Sequence, residues 1–330
     1  MNNHHNSKES IMKLLRGEKI DYVPNFSGMG SITLYGIRQL GYRFNEVHVD
    51  PRKMADAAAS THKYFGFESA VVPFDMGVEA EVLGSQVKYY EKDGDQIIYP
   101  TMVHKVIDRV DVSVPEGTPE NDAKRYVQKE IERRIEEFEL KIPDDLANQK
   151  RIPVVIGAIK LLKQEVGDKI PIGAWVLGPF TDLGQVMDLE VFLKLSAKKP
   201  DVVNRHLNAM VEYLAHVIAL YEDAGADYIT VREMGATSSI LSPRLFKSLV
   251  LPHLQQLFPR IRVPSVLHIC GDTNPIVEMM AESGANALSV DQMNRLNETR
   301  QKVPNIVLLG NYKAFGNPFC DGEPAAVAEL

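Results

Sequence analysis

Cysteine is scarce in this chain: Cys270 and Cys320 are the only two in 330 residues. Two thiols cannot build a disulfide framework, and so low a content points to a reducing compartment. No apolar run approaches the roughly 18 residues needed to cross a bilayer, so a membrane span is not expected. The opening Met1-Asn2-Asn3-His4-His5-Asn6 lacks the apolar core of a secretion signal, and the chain is read as cytoplasmic. Basic excess is missing too: 37 Lys and Arg face 44 Asp and Glu, for a net charge of -7, which excludes the positive stripe of a nucleic-acid surface. The segment Gly28-Met29-Gly30-Ser31 lacks the third glycine of a dinucleotide-binding fingerprint.

What remains is an ordinary globular composition of a length that suits one large α/β barrel. An entry helix over residues 8–16 carries Ile11, Leu14 and Leu15 on one stripe, and Gly17 follows as a C-cap residue would. Strands are expected at 21–28, 68–75, 169–180, 226–233, 264–270, 287–291 and 305–311, with helical periodicity between them, clearest over 202–224. Residues 86–110 read as a hairpin, with arms at 86–90 and 96–99 around the turn Lys92-Asp93-Gly94-Asp95. A charged helix over 119–140 keeps a narrow apolar stripe of Val127, Ile131, Ile135 and Phe138.

Alternation of strand and helix on this scale is the pattern of a (β/α)8 TIM barrel. The expectation is a single domain over 1–330, with a hairpin and helical insertion around 86–165. Only seven strands can be counted, so either one assignment is wrong or, as is expected here, the C-terminus is truncated and the barrel lacks its last strand and helix.

Barrel enzymes build their sites at the C-terminal ends of the strands. Those ends carry Asp75, Glu233, His268 with Cys270, and Asp291. Either Glu233 or Asp291 could equally cap a following helix. Side chains two apart on a strand share a face, so His268 and Cys270 point the same way and offer the nitrogen and sulfur donors that Zn²⁺ takes. A thiol coordinated to such a cation is deprotonated outright, although a free thiol titrates near 8.5. That chemistry suits alkyl transfer to sulfur.

Several blocks resemble the uroporphyrinogen decarboxylase superfamily: Arg16-Gly17-Glu18-Lys19-Ile20-Asp21-Tyr22-Val23-Pro24, Pro73-Phe74-Asp75-Met76-Gly77, Leu177-Gly178-Pro179-Phe180-Thr181, Ile240-Leu241-Ser242-Pro243 and Gly310-Asn311. Within it, Val78-Glu79-Ala80-Glu81 and His268-Ile269-Cys270-Gly271 are similar to the zinc-dependent methylcobamide:coenzyme M methyltransferase branch. The resemblance implies a barrel that docks a small corrinoid protein over its C-terminal rim, where a zinc-bound thiolate attacks the methyl group on Co(III).

By position, His268 and Cys270 match two zinc ligands of that branch. The third ligand there is a cysteine of the last strand, expected either as a residue beyond 330 or as Cys320 in its place, and Asp291 stands as an exchangeable fourth ligand. Glu79 and Glu81 would lie near the corrinoid or set the electrostatics of the zinc site. The alternatives are a uroporphyrinogen decarboxylase-type decarboxylase, in which Asp75 steadies a pyrrole-like cation, or a barrel that binds a corrinoid protein without turnover. The decarboxylases carry an arginine-rich segment after the first strand, and residues 26–31 contain no arginine.

Overall fold

The computed structural model describes residues 6–90 and 98–311. Eight strands are described: β1 (Ala70–Val72), β2 (Gln86–Lys88), β3 (Thr101–His104), β4 (Ile172–Leu177), β5 (Tyr228–Arg232), β6 (Ser265–Ile269), β7 (Ala287–Val290) and β8 (Val307–Leu309). Six of them form one parallel sheet in the order β1-β4-β5-β6-β7-β8, while β2 and β3 pair antiparallel by themselves. Spatial order follows chain order and helices fill the crossovers, which is the winding of a β/α barrel wall.

Period-2 alternation divides the strand side chains into two separate apolar clusters. Ile172, Ala174, Val176, Ile229, Val231, Leu267 and Ile269 pack outward against the helices. Val71, Trp175, Leu177, Tyr228, Val266, Ala287 and Leu309 fill the bore. The entry helix, Ser7–Leu15, sends Ile11 and Leu15 into that inner cluster. Its Lys8 amide bonds the Lys169 carbonyl just ahead of β4, so the helix plugs the N-terminal end of the bore and leaves the C-terminal mouth as the open one.

The helices start and stop on local signals. Pro51–Phe65 begins on the Asp50 side chain, which accepts the Lys53 amide at 2.9 Å, with proline in its first turn, and it ends at left-handed Gly66. It packs on the helix Ile152–Glu165, which therefore belongs to the barrel wall. The 25-residue helix Pro200–Ala224 buries Leu207, Met210, Val211, Leu214, Val217, Ile218 and Tyr221. Among the described residues no helix is long and apolar enough to cross a membrane.

Two sequence expectations need correction. The stretch 21–28 is not a strand. Pro24 has no amide proton to donate, and the Ser27 hydroxyl bonds both the amide and the carbonyl of Met29, which bends the backbone out of a ladder. The segment still runs along the wall: the Glu68 amide bonds the Asn25 carbonyl, the Ser27 amide bonds the Ser69 hydroxyl, and Phe26 meets the Tyr228 ring edge-on at 6.1 Å. The second correction concerns the hairpin: the strand paired with Gln86–Lys88 is Thr101–His104, and of the expected return arm Ile98 and Tyr99 are in no strand while residues 96 and 97 fall outside the described residues. Pairing starts just after Pro100, with Lys88 opposite Thr101 and Val87 opposite Met102. The turn at 92–95, Cys320 and the proposed truncation all fall outside the described residues.

Gly173 gives β4 its close approach to Tyr228, because a Cβ there would lie 2.5 Å from the ring carbon Cζ. Tyr228 cannot simply retreat, since its hydroxyl donates to the Ser27 carbonyl. Gly173→Ala is expected to cost about 1–3 kcal/mol, as overpacking in a core does. The check is a lower denaturant midpoint at unchanged slope; an unchanged midpoint would mean that the Tyr228 ring is free to move.

Candidate active site

Register assigns each bore-facing residue a level. The level nearest the open mouth reads Leu177, Arg232, His268, Ser289 and Leu309 across five successive strands. The level beneath reads Trp175, Thr230, Val266, Ala287 and Val307. A polar patch three strands wide thus rests on an apolar floor.

His268 is 6% exposed, and its Nδ1 lies 3.0 Å from the Ser289 hydroxyl. Burial first, and the Arg232 charge second, push the imidazole down to about 4, so the ring is neutral at pH 7. With Nδ1 engaged, Nε2 is the nitrogen open to a ligand. Cys270 is half-buried and follows the last residue of β6. Burial and then the Asp291 charge raise its thiol, against a smaller opposite pull from Arg232. Asp291 follows β7 and accepts the Met293 amide at 3.2 Å. A cavity of about 280 Å³ opens here, with His268, Ser289 and Asp291 on one wall and Phe26 to Met29 on the other.

A second cavity, of about 420 Å³, adjoins the first at Met29 and is lined by Phe74, Tyr99 and Arg232. The Arg232 guanidinium lies 4.2 Å above the Trp175 ring, and one of its terminal nitrogens contacts the Met234 sulfur at 3.4 Å. Its Nε is buried without an acceptor. Burial lowers its pKa to about 10, which leaves the cation charged at neutral pH.

On the opposite side of the mouth, carboxylates and one arginine are tightly interlocked. Arg151 donates to both oxygens of Asp75, at 2.6 and 2.9 Å, and through Nε to Glu81 at 2.8 Å. His48 Nδ1 lies 2.8 Å from Asp75, and the Gly77 amide adds a bond at 3.0 Å. Burial alone would raise the Asp75 carboxyl, but Arg151 and His48 outweigh it and hold the group well below the usual range.

Beside this network lie three buried carboxyl groups with no cation bonded to them. Neither oxygen of Glu79 or of Asp182 meets a hydrogen-bond partner. Burial raises Glu79 to about 7, and burial with the charges of Glu79 and Glu233 raises Asp182 well above its ordinary value. Glu233 accepts the Phe180 and Thr181 amides at 3.1 and 2.7 Å, together with the Thr181 hydroxyl. It therefore caps the helix Pro179–Val186 from across the sheet. Burial outweighs these bonds and raises it to about 7.

The expected residues therefore divide into groups. His268 lines the first cavity with Asp291, and Cys270 lies within electrostatic reach of both Asp291 and Arg232. Asp75 and Glu81 share Arg151, Glu79 is sealed beneath them, and Glu233 faces a helix terminus. Reasoning from sequence missed His48, Arg151, Asp182, Arg232 and Ser289. Only Arg232 left a signal, as a cation on the bore-facing parity of a strand. The donors His268 and Cys270 suit a soft divalent cation in kind, being a neutral imidazole and a thiol. Among the described residues, no three His, Cys, Asp or Glu side chains converge closely enough to hold a metal ion.

Matches to the uroporphyrinogen decarboxylase (URO-D) family cover residues 6–135 and 117–318, and the chain belongs to that family. Its relatives include the methylcobamide:CoM methyltransferase MtaA of Methanosarcina barkeri, 28% identical over 290 residues, which are 86% of this chain and 75% of the relative. The methylcobamide:CoM methyltransferase MtbA of Methanosarcina acetivorans is 26% identical over 326 residues, 98% of this chain and 86% of its own. A methyltransferase from Methanosarcina mazei has a similar structure, with a TM-score of 0.79 at 26% identity, covering 92% of this chain and 82% of that one.

Two outcomes follow from these electrostatics. Arg151→Met strands Asp75 and Glu81 and is expected to destabilise the fold by about 3–5 kcal/mol, the usual result of removing one partner of a buried pair. A loss below about 1 kcal/mol in chemical denaturation would show that water reaches the pair. For Glu79 the folded pKa lies above the unfolded one, so its contribution is present at low pH and lost as pH rises through about 7. Glu79→Gln should therefore gain stability relative to the parent between pH 5 and pH 8, by roughly 2–3 kcal/mol at most. Melting curves across that range check the sign, and a difference that shrank with pH would refute it.

Proposed function

We propose that this protein is a corrinoid-dependent methyltransferase that passes a methyl group from a methylated corrinoid protein to a small thiol. The observation that carries the reading is the His268 and Cys270 pair at the open mouth of the barrel, on a chain whose relatives are named methylcobamide:CoM methyltransferases. In the reaction the acceptor sulfur forms its bond to the methyl carbon as the cobalt–carbon bond breaks, and the bonding electron pair stays on cobalt.

His268 and Cys270 are proposed as zinc ligands, with Asp291 as the exchangeable one and Cys320, outside the described residues, as the further donor. Zinc held there would supply the positive charge that keeps an acceptor thiol deprotonated at neutral pH. The chain's own part is preparation: Ser289 orients the imidazole, and burial keeps that ring neutral and able to donate its lone pair. Asp75 and Glu81 are proposed to hold Arg151 and shape the rim. Glu79 is proposed to adjust the field at the site, and Glu233 to fix the helix Pro179–Val186. A decarboxylase reading finds little support, since Asp75 is fully engaged by Arg151, His48 and Gly77.

The test begins with elemental analysis of the purified chain and of the double variant His268→Ala, Cys270→Ala. About one zinc per chain, lost in the variant, is the expected result. Demethylation of methylcobalamin by 2-mercaptoethanesulfonate, followed by the corrinoid absorbance, should then require the parent protein and fall at least a hundredfold in the variant. Zinc binding and corrinoid-protein binding without turnover would replace this reading with that of a non-catalytic corrinoid-protein-binding barrel. A folded parent that takes up no zinc and demethylates nothing would sink it.

A further inference from the structure

Glu79 and Asp182 are wholly buried, and none of their four carboxyl oxygens has a hydrogen-bond partner. Glu79 comes from the short helix Val78–Val82 and Asp182 from the first turn of Pro179–Val186, and the two helices pack on each other. Of the charges acting on Asp182, that of Glu79 is the strongest. An ionised carboxyl only accepts hydrogen bonds, so two carboxylates set together cannot bond. A proton on either one supplies the missing donor.

The other groups around them are already committed. Glu233 takes the Phe180 and Thr181 amides at the head of Pro179–Val186, which leaves Asp182 without those donors of its own helix. Arg151 is occupied by Asp75 and Glu81, and the Tyr213 hydroxyl donates to the Glu79 carbonyl at 3.0 Å. Tyr221 is the exception. Its hydroxyl is also wholly buried and unpartnered, and Glu79 is the strongest charge acting on it. An unused donor thus faces the pair, suited to a carboxylate there.

The remaining cation is Arg232, which interacts with Glu79 through space and bonds no carboxylate among the described residues. Two ionised carboxylates side by side in an apolar interior repel each other and lack solvation, whereas two protonated ones leave Arg232 without a local counter-charge. One proton between them answers both costs. Asp75 and Arg151 act on Glu79 as well, and Glu233 on Asp182. Within this field burial raises Glu79 to about 7 and Asp182 well above its ordinary value, so the pair releases one proton near neutrality and keeps the other.

We propose that Glu79 and Asp182 form a proton-binding dyad, a carboxylic acid and a carboxylate sharing one proton, whose single negative charge faces Arg232 at the mouth of the bore. The dyad rests on the unpartnered oxygens and is independent of the methyl-transfer reading.

The experiment uses the full chain, Glu79→Gln, and the double variant Glu79→Gln, Asp182→Asn, in which two amides are able to bond each other; melting curves confirm that each folds. Infrared difference spectra across pH, on protein isotopically labelled in the aspartate carboxyl, follow Asp182, and the double variant assigns its band. In the parent, Asp182 should remain a carboxylic acid beyond about pH 8. In Glu79→Gln an amide donor replaces the like charge, and the Asp182 midpoint should fall by at least about one pH unit, tenfold in acid constant. A second arm titrates the fluorescence of Trp175, the chain's single tryptophan, whose ring lies 4.2 Å from the Arg232 guanidinium. The parent should show a step near neutrality that the double variant lacks.

An Asp182 that is ionised throughout this range in the parent, which the parent spectra decide without any variant, overturns the shared proton. So does an Asp182 midpoint that stays in place in Glu79→Gln. A Trp175 step that is absent from the parent, or that survives in the double variant, overturns the link to Arg232.

Discussion

Hydrogen-bonded register between β5, β6 and β7 decides what chemistry the mouth of this barrel can hold. Parallel pairing sets level and face together, so the residues that partner His268 in the ladders, Arg232 and Ser289, also flank it inside the bore. A slip of one residue would turn Leu267 inward and send the imidazole among the helices. The apolar level beneath, from Trp175 to Ala287, keeps water out from below and makes every charge above it count for more.

Two electrostatic regimes share the rim. Around Asp75 the charges are matched: one guanidinium serves two carboxylates, a histidine and a backbone amide complete the set, and the region behaves as scaffold. Around Glu79, Asp182 and Glu233 burial wins over pairing, and protons are retained at pH values where surface carboxylates would have lost them. Arg232 stands between these regimes, charged and unmatched.

Much of this was legible in the sequence, because buried parallel strands announce themselves as short apolar runs and their last residues name the rim. Six of the seven expected strands are present within their expected spans, and the place of His268 on the bore-facing parity of β6 follows from alternation alone. The stretch 21–28 misled because its Tyr, Val and Phe favour strands, while the bend depends on one serine hydroxyl. Arg151 was invisible for a different reason. It sits in Asn148-Gln149-Lys150-Arg151, a polar stretch that reads as surface, and its partner Asp75 is 76 positions away. At the end of β5 the eye goes to Glu233, the acid. Parity turns that carboxylate toward a helix terminus and leaves the preceding arginine in the bore.

The capping of Pro179–Val186 by Glu233 ties two distant positions together. Gly178 has an ordinary backbone conformation, with φ of -74°, so its lack of a side chain is not a matter of torsion. A Cβ there would sit 2.3 Å from Glu233 Oε2, inside the volume the carboxylate fills while it reaches the helix amides. Residue 178 is thus small on account of residue 233. Among sequences sharing this architecture, the pair should drift jointly: a side chain gained at the first position goes with a shorter residue at the second, and the helix must then find another acceptor for its leading amides.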